Sequence, residues 1–124
     1  MDLTHLRDQA EQEFKGLWDL YQYKGRTYGT PEDPHANVRT AEEYGVPAYV
    51  SALVEARGAL KRLSGYKRTG TIATDKRGVR NALRDTAVWA VIALVEWEEL
   101  YGKEATEEPD AVGRPHDDYY TGLA

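Results

Sequence analysis

Nine consecutive apolar residues, AVWAVIALV (Ala87 to Val95), constrain this chain more than any other feature. They lie inside a longer pattern in which Val79, Leu83, Ala87, Ala90, Leu94 and Trp97 recur at steps of three and four. That spacing predicts a helix from about Gly78 to Tyr101. A helix apolar on every side is buried on every side. The run is far too short to span a bilayer, which takes about 20 apolar residues. It must therefore be surrounded by protein, and a chain of 124 residues, enough for one domain, has few other helices to do so. A homo-oligomer, dimer or tetramer, is the economical expectation.

The rest of the chain reads as helices joined by short connections. Leu3, Leu6, Ala10, Phe14, Leu17 and Tyr21 form an amphipathic seam from about Leu3 to Tyr23, with Gly25 expected to stop it. The stretch RTYGTPEDPHANVR (Arg26 to Arg39) holds two prolines and is expected to be a loop tied back to the body. Thr40 and Glu43 have capping-box spacing, with room for only a short turn before Gly45. Pro47 suits the first turn of a helix whose seam is Tyr49, Leu53, Ala56, Leu60 and Leu63. Gly65 to Gly78 is basic and glycine-punctuated, either a crossover or a short hairpin. Beyond Gly102 the chain is acidic, proline-broken and without helical period, so residues 103–124 read as a mobile tail on an all-α domain of residues 1–102. The expected architecture is a small bundle of about four helices.

Charge is distributed unevenly along this plan. Met1 to Glu55 carries net −5, Ala56 to Arg84 net +8, and the remainder net −8. The basic block either complements the acidic flanks or gathers cations for phosphate, since clustered charge creates a local field whatever the total. There is no cysteine, which excludes a disulfide scaffold and a thiolate metal site. The N-terminal stretch MDLTHLRDQAEQEF has no hydrophobic signal core, so a cytoplasmic protein with no membrane partner is expected.

Few residues carry recognisable chemistry. His5, His35 and His116 lack ligand spacing, and only His35 sits in a promising context. No P-loop, GxGxxG, nucleophile elbow or readable nucleic-acid module is present, so a nucleic-acid partner is not favoured. Two carboxylates stand apart. Glu55 is flanked at helical spacing by Ser51, Ala52, Gly58 and Ala59, a patch small enough for a ligand, a metal or a second helix to approach. Asp85 lies one turn before the apolar run, where an acid is costly unless paired or coordinated; the alternative is an ion pair with Arg80, Arg84 or a residue of another helix.

With YGTPED and Asn37 in a loop, then a helix ending ALKRL, then RNALRDTAVWA, the chain resembles small phage-type proteins of the all-α, MazG-like nucleotide pyrophosphohydrolase group. The resemblance spans about Arg26 to Leu100. It implies hydrolysis of a nucleoside triphosphate to monophosphate and pyrophosphate, in the host cytoplasm if the chain is phage-encoded. Mg²⁺ or Mn²⁺ would be held by Glu55 and Asp85 with Glu42 or Glu43, the first two being the implied catalytic residues. Arg57, Lys61, Arg62, Arg80 and Arg84 would neutralise the phosphates, and Tyr28, Asn37 and Trp89 would contact base or sugar. Such enzymes typically carry an ExxE and an ExxD pair. Here Ala52 and Gly58 stand three residues from Glu55, and Asn81 and Ala82 precede Asp85, which leaves an incomplete metal box. The rival expectations are a non-catalytic module that sequesters a nucleotide or signalling phosphate, and a protein-interaction factor.

Overall fold

The computed structural model describes residues 1–64, 70 and 75–107, and among them every regular element is helical. Helix α1 spans Thr4–Tyr28, the single turn α2 spans Ala36–Arg39, and a 3₁₀ turn covers Thr40–Tyr44. Helix α3 spans Ala48–Lys61 and α4 spans Lys76–Glu107. The protein is an all-α small bundle. None of the described helices is long and apolar enough to cross a membrane.

The core forms where α3 lies along α4. Their contact is built from small side chains: Ala48, Ala52 and Ala59 are buried on α3, and Ala82 and Ala93 on α4. Small residues let two helix backbones approach closely. This corrects the expected α3 seam, because Leu53 and Leu60 point to solvent. Val88, Trp89 and Ile92 complete the α4 side, and Val38 of α2 closes the cluster. Val38 and Val88 are the largest side chains wholly removed from water, each contributing about 1.5–3 kcal/mol.

Helix α1 joins through Leu17, Leu20 and Tyr21, which pack against this cluster. It does not stop at Gly25 but runs on to Tyr28. Gly25 serves a different end: a β-carbon there would meet the Pro34 Cβ at 3.0 Å. Gly29 caps α1 by donating its N–H to the Gly25 carbonyl at 3.0 Å, and a β-carbon on it would fall 2.5 Å from the Pro34 carbonyl oxygen. The glycines let the proline segment fold back onto the helix it has just left. The stretch Arg26 to Arg39 is only partly loop, since α1 takes its start as far as Tyr28 and α2 takes its end, Ala36–Arg39, with the 3₁₀ turn following directly. The turn ends at Gly45, whose φ of 78° is the left-handed conformation glycine favours.

Most of Gly65 to Gly78 lies outside the described residues. Its end is clear: the Asp75 side chain accepts the Gly78 N–H at 2.8 Å, an aspartate cap on the first turn of α4. Helix α4 then continues beyond Gly102 to Glu107, further than its apolar period reaches. The remainder of the expected tail lies outside the described residues.

Candidate functional site

Residues from four helices meet in an open cleft of about 420 Å³. Helix α1 brings Lys24 and Tyr28 from its last turns, α2 brings Asn37, and α3 brings Glu55, Gly58 and Ala59. Arg62 follows at the C-terminal end of α3, and α4 supplies Asp85 and Trp89. Gly58 and Ala59 present little side chain, so the cleft reaches the α3 backbone between Glu55 and Arg62.

Asp85 is the electrostatic centre. Arg62 Nη2 donates to its Oδ2 at 2.8 Å, and Lys24 Nζ lies 3.3 Å from its Oδ1. Two cations from two other helices thus hold both oxygens of one carboxylate. Lys24 is the more enclosed, with only 11% of its side chain exposed. Its ammonium lies 5.0 Å from the Trp89 ring centroid and 5.7 Å from that of Tyr28. A buried lysine needs such partners, and an aromatic face beside a carboxylate provides them. Arg62 keeps about half of its side chain in solvent, so it can turn toward a ligand without exposing any core.

The cleft gathers Tyr28, Asn37, Glu55, Arg62, Asp85 and Trp89 from the residues singled out in the sequence, and leaves others elsewhere. Arg57 and Lys61 line a separate surface depression with Leu60 and Leu63. Arg80 is exposed, and Arg84 faces α1, where its Nε and Nη2 donate to Glu13 at 3.0 and 2.9 Å. The Arg84 guanidinium holds the Glu13 carboxyl below its ordinary value, and Glu13 in turn raises that of Arg84. Glu42 and Glu43 lie exposed on the 3₁₀ turn and do not line the cleft. Among the described residues no group of three His, Cys, Asp or Glu is placed to hold a metal ion. Glu55 and Asp85 are therefore the two carboxylates available to Mg²⁺ here, and Asp85 is already engaged by cations.

A second polar cluster is centred on two buried side chains, His35 and Glu96. His35 is only 4% exposed. Its Nδ1 lies 2.6 Å from Glu96 Oε1, and its Nε2 lies 2.7 Å from the Tyr21 hydroxyl. Glu96 Oε1 also accepts from Arg39 Nε at 3.0 Å, and Arg39 reaches Asp33 at 3.4 Å. In the neutral tautomer that carries its proton on Nδ1, His35 donates to Glu96 and accepts from the Tyr21 hydroxyl at Nε2. Burial, reinforced by the Glu96 charge, raises the Tyr21 phenol above its ordinary value. Burial opposes the Arg39 charge, but Glu96, Asp33 and Glu42 together outweigh it and raise its value. With both ring nitrogens occupied, His35 is a clasp that ties the proline segment to α1 and α4.

Sequence reasoning did not select Lys24, Tyr21 or Glu96 for these roles. Lys24 carried a signal, since it continues the α1 seam one step past Tyr21. Glu96 carried one too, falling four residues after Ile92 on the buried stripe. No protein-family model, curated protein or solved structure matches the chain.

Proposed function

We propose that the cleft binds a nucleotide through its phosphates, in the manner of a MazG-like nucleotide-binding protein. One observation carries this reading: Lys24 and Arg62 converge from separate helices on a single carboxylate at the wall of an open, aromatic-flanked cleft. Asp85 stores two cations at one point, where an incoming phosphate can share them. Arg62, half in solvent, meets the phosphate first, and Lys24 marks the inner end. Tyr28 offers a ring face for a base, Trp89 an edge, and Asn37 an amide for a base or sugar. The all-α bundle and the grouping of Tyr28, Asn37, Glu55 and Asp85 in one cleft support the MazG-like resemblance.

Catalysis is the part of this reading that turns on Asp85. In the enzymatic version, Glu55 and Asp85 would hold Mg²⁺ together with the substrate's own phosphates, and the ion would polarise a phosphoryl group toward water. That requires Asp85 to leave Lys24 and Arg62. The second reading, a binding module without turnover, is favoured by the present pairing of both Asp85 oxygens. Calorimetric titration with tri-, di- and monophosphates, in Mg²⁺ and in EDTA, tests the two together with an assay for released pyrophosphate. Metal-dependent binding with turnover selects the enzyme; metal-independent binding without it selects the module. No phosphate-dependent heat in either buffer would remove the proposal.

A further inference from the structure

A groove of about 480 Å³ lies between Trp18, Tyr21, Gln22 and Arg26 of α1 and the two prolines, Pro31 and Pro34, of the segment that folds back on it. It shares no lining residue with the Asp85 cleft. Both of its walls are preset. Trp18 stacks on Tyr21, with 5.6 Å between ring centroids and 13° between planes, and His35 holds the Tyr21 hydroxyl at 2.7 Å. Opposite them, Thr30 and Asp33 exchange backbone hydrogen bonds at 2.9 and 3.2 Å, and each proline fixes its own φ. Little conformational freedom is left to lose on binding. Among the described residues Trp18 nevertheless stays 59% exposed, an indole held in place at the groove rather than in the core.

We infer that this groove docks an extended, proline-containing segment of a partner protein, with an acidic residue beside the prolines. Trp, Tyr and Arg dominate binding hot spots, and aromatic-lined grooves are where polyproline II segments dock. Length agrees. Trp18 and Arg26 are eight residues apart on α1, about 12 Å, which four residues of polyproline II also span. A single aromatic ring would leave one end unfilled. A polyproline II segment makes no hydrogen bonds of its own, so its carbonyls need donors. Trp18, Gln22 and Arg26 carry N–H groups at intervals of about 6 Å along α1, and none of the three donates a side-chain hydrogen bond to a described residue. Charge sets the direction. Arg26 is the one charged residue lining the groove, so the acid belongs about four residues from the proline that meets Trp18. This docking is independent of what the cleft binds.

Fluorescence anisotropy with the full chain and a labelled peptide, Pro-Ala-Ala-Pro-Glu-Glu, tests this. Saturable binding is expected, and alanine in place of both peptide prolines should weaken it about tenfold or more. Trp18→Ala and Arg26→Glu should each weaken it as much, with helicity retained because both side chains are exposed. If Trp18→Ala loses helicity, the decision falls to a charge swap. A peptide with lysines in place of the glutamates should bind Arg26→Glu better than it binds wild type. The absence of saturable binding at millimolar peptide would overturn the inference. So would equal binding of the proline-free peptide, or binding indifferent to both substitutions. If indole-3-acetate binds with the same dependence on Trp18 and the peptide does not, the groove is a small-molecule site and the inference fails.

Discussion

His35 Nδ1 lies 2.6 Å from Glu96 Oε1 across a separation of 61 residues, and both side chains are buried. The pair fixes the proline segment against α4 and thereby sets α2, which carries Asn37 at the cleft. Removing Glu96 leaves the buried His35 Nδ1–H without an acceptor, a loss of about 1–3 kcal/mol. Glu96→Ala is expected to lower stability by that order in urea denaturation, and Tyr21→Phe by about 1 kcal/mol, the loss of one hydrogen bond. A Glu96→Ala protein with an unchanged urea midpoint would remove the clasp from the account of the fold.

Two glycines of the same region should respond oppositely to alanine. At Gly29 the new methyl would meet three backbone carbonyl oxygens, at 2.5 to 2.7 Å, and none of them can move without shifting the segment. Gly29→Ala is expected to destabilise by about 1–3 kcal/mol. At Gly16, within α1, nothing lies within 4 Å, so alanine should add about 0.5–1 kcal/mol through helix propensity alone. Thermal melts of the two variants measure the contrast.

The parts of the fold legible in the sequence were those with a one-sided pattern. Leu17 and Tyr21 stand out because they continue the steps of three and four that run from Leu3 through Phe14, and they do face the core. Ala87 to Val95 has no polar side, so periodicity could not say which stripe is buried. The eye follows Leu83 and Leu94, whereas the structure buries Ala82, Val88, Trp89, Ile92 and Ala93. The α3 seam failed for a related reason, because close helix packing selects alanine and leaves Leu53 and Leu60 outside. Gly25 was misread as a terminator since a sequence does not show that Pro34 returns to it. Within the cleft, Glu55 and Asp85 were visible by their surroundings. Lys24 was not, because a lysine near a helix end ordinarily faces water.

Acid should loosen the tie between α1 and α4. Arg84 depresses the Glu13 carboxyl in the folded state, so the pair contributes stability above the ordinary value of 4.5 and loses it as pH falls through the lowered one. Melting temperatures of wild type and Glu13→Gln are expected to differ above that range and to converge below it. Salt should narrow the difference at any pH, since both groups face solvent. A gap between the two proteins that persists unchanged into strong acid would contradict this assignment.

The cleft cations give the sharpest division among the basic residues. Arg62 and Lys24 face Asp85, whereas Arg80 is exposed and lies outside the cleft. Each charge-assisted hydrogen bond to phosphate is worth about 1.5–3 kcal/mol, so Arg62→Ala and Lys24→Met should each weaken triphosphate binding by about tenfold or more. Arg80→Ala should leave it within about twofold, because a solvated charge at distance is screened. Asp85→Asn then separates the two functional readings. If the carboxylate only stores the cations, its loss frees them and phosphate affinity rises, with some loss of stability as Lys24 gives up its partner. If the carboxylate serves a bound metal, the same change removes both Mg²⁺-dependent binding and turnover. Calorimetry on these four variants, with and without EDTA, reads both outcomes, and equal affinities across all four would mean that the phosphates bind somewhere else on the protein.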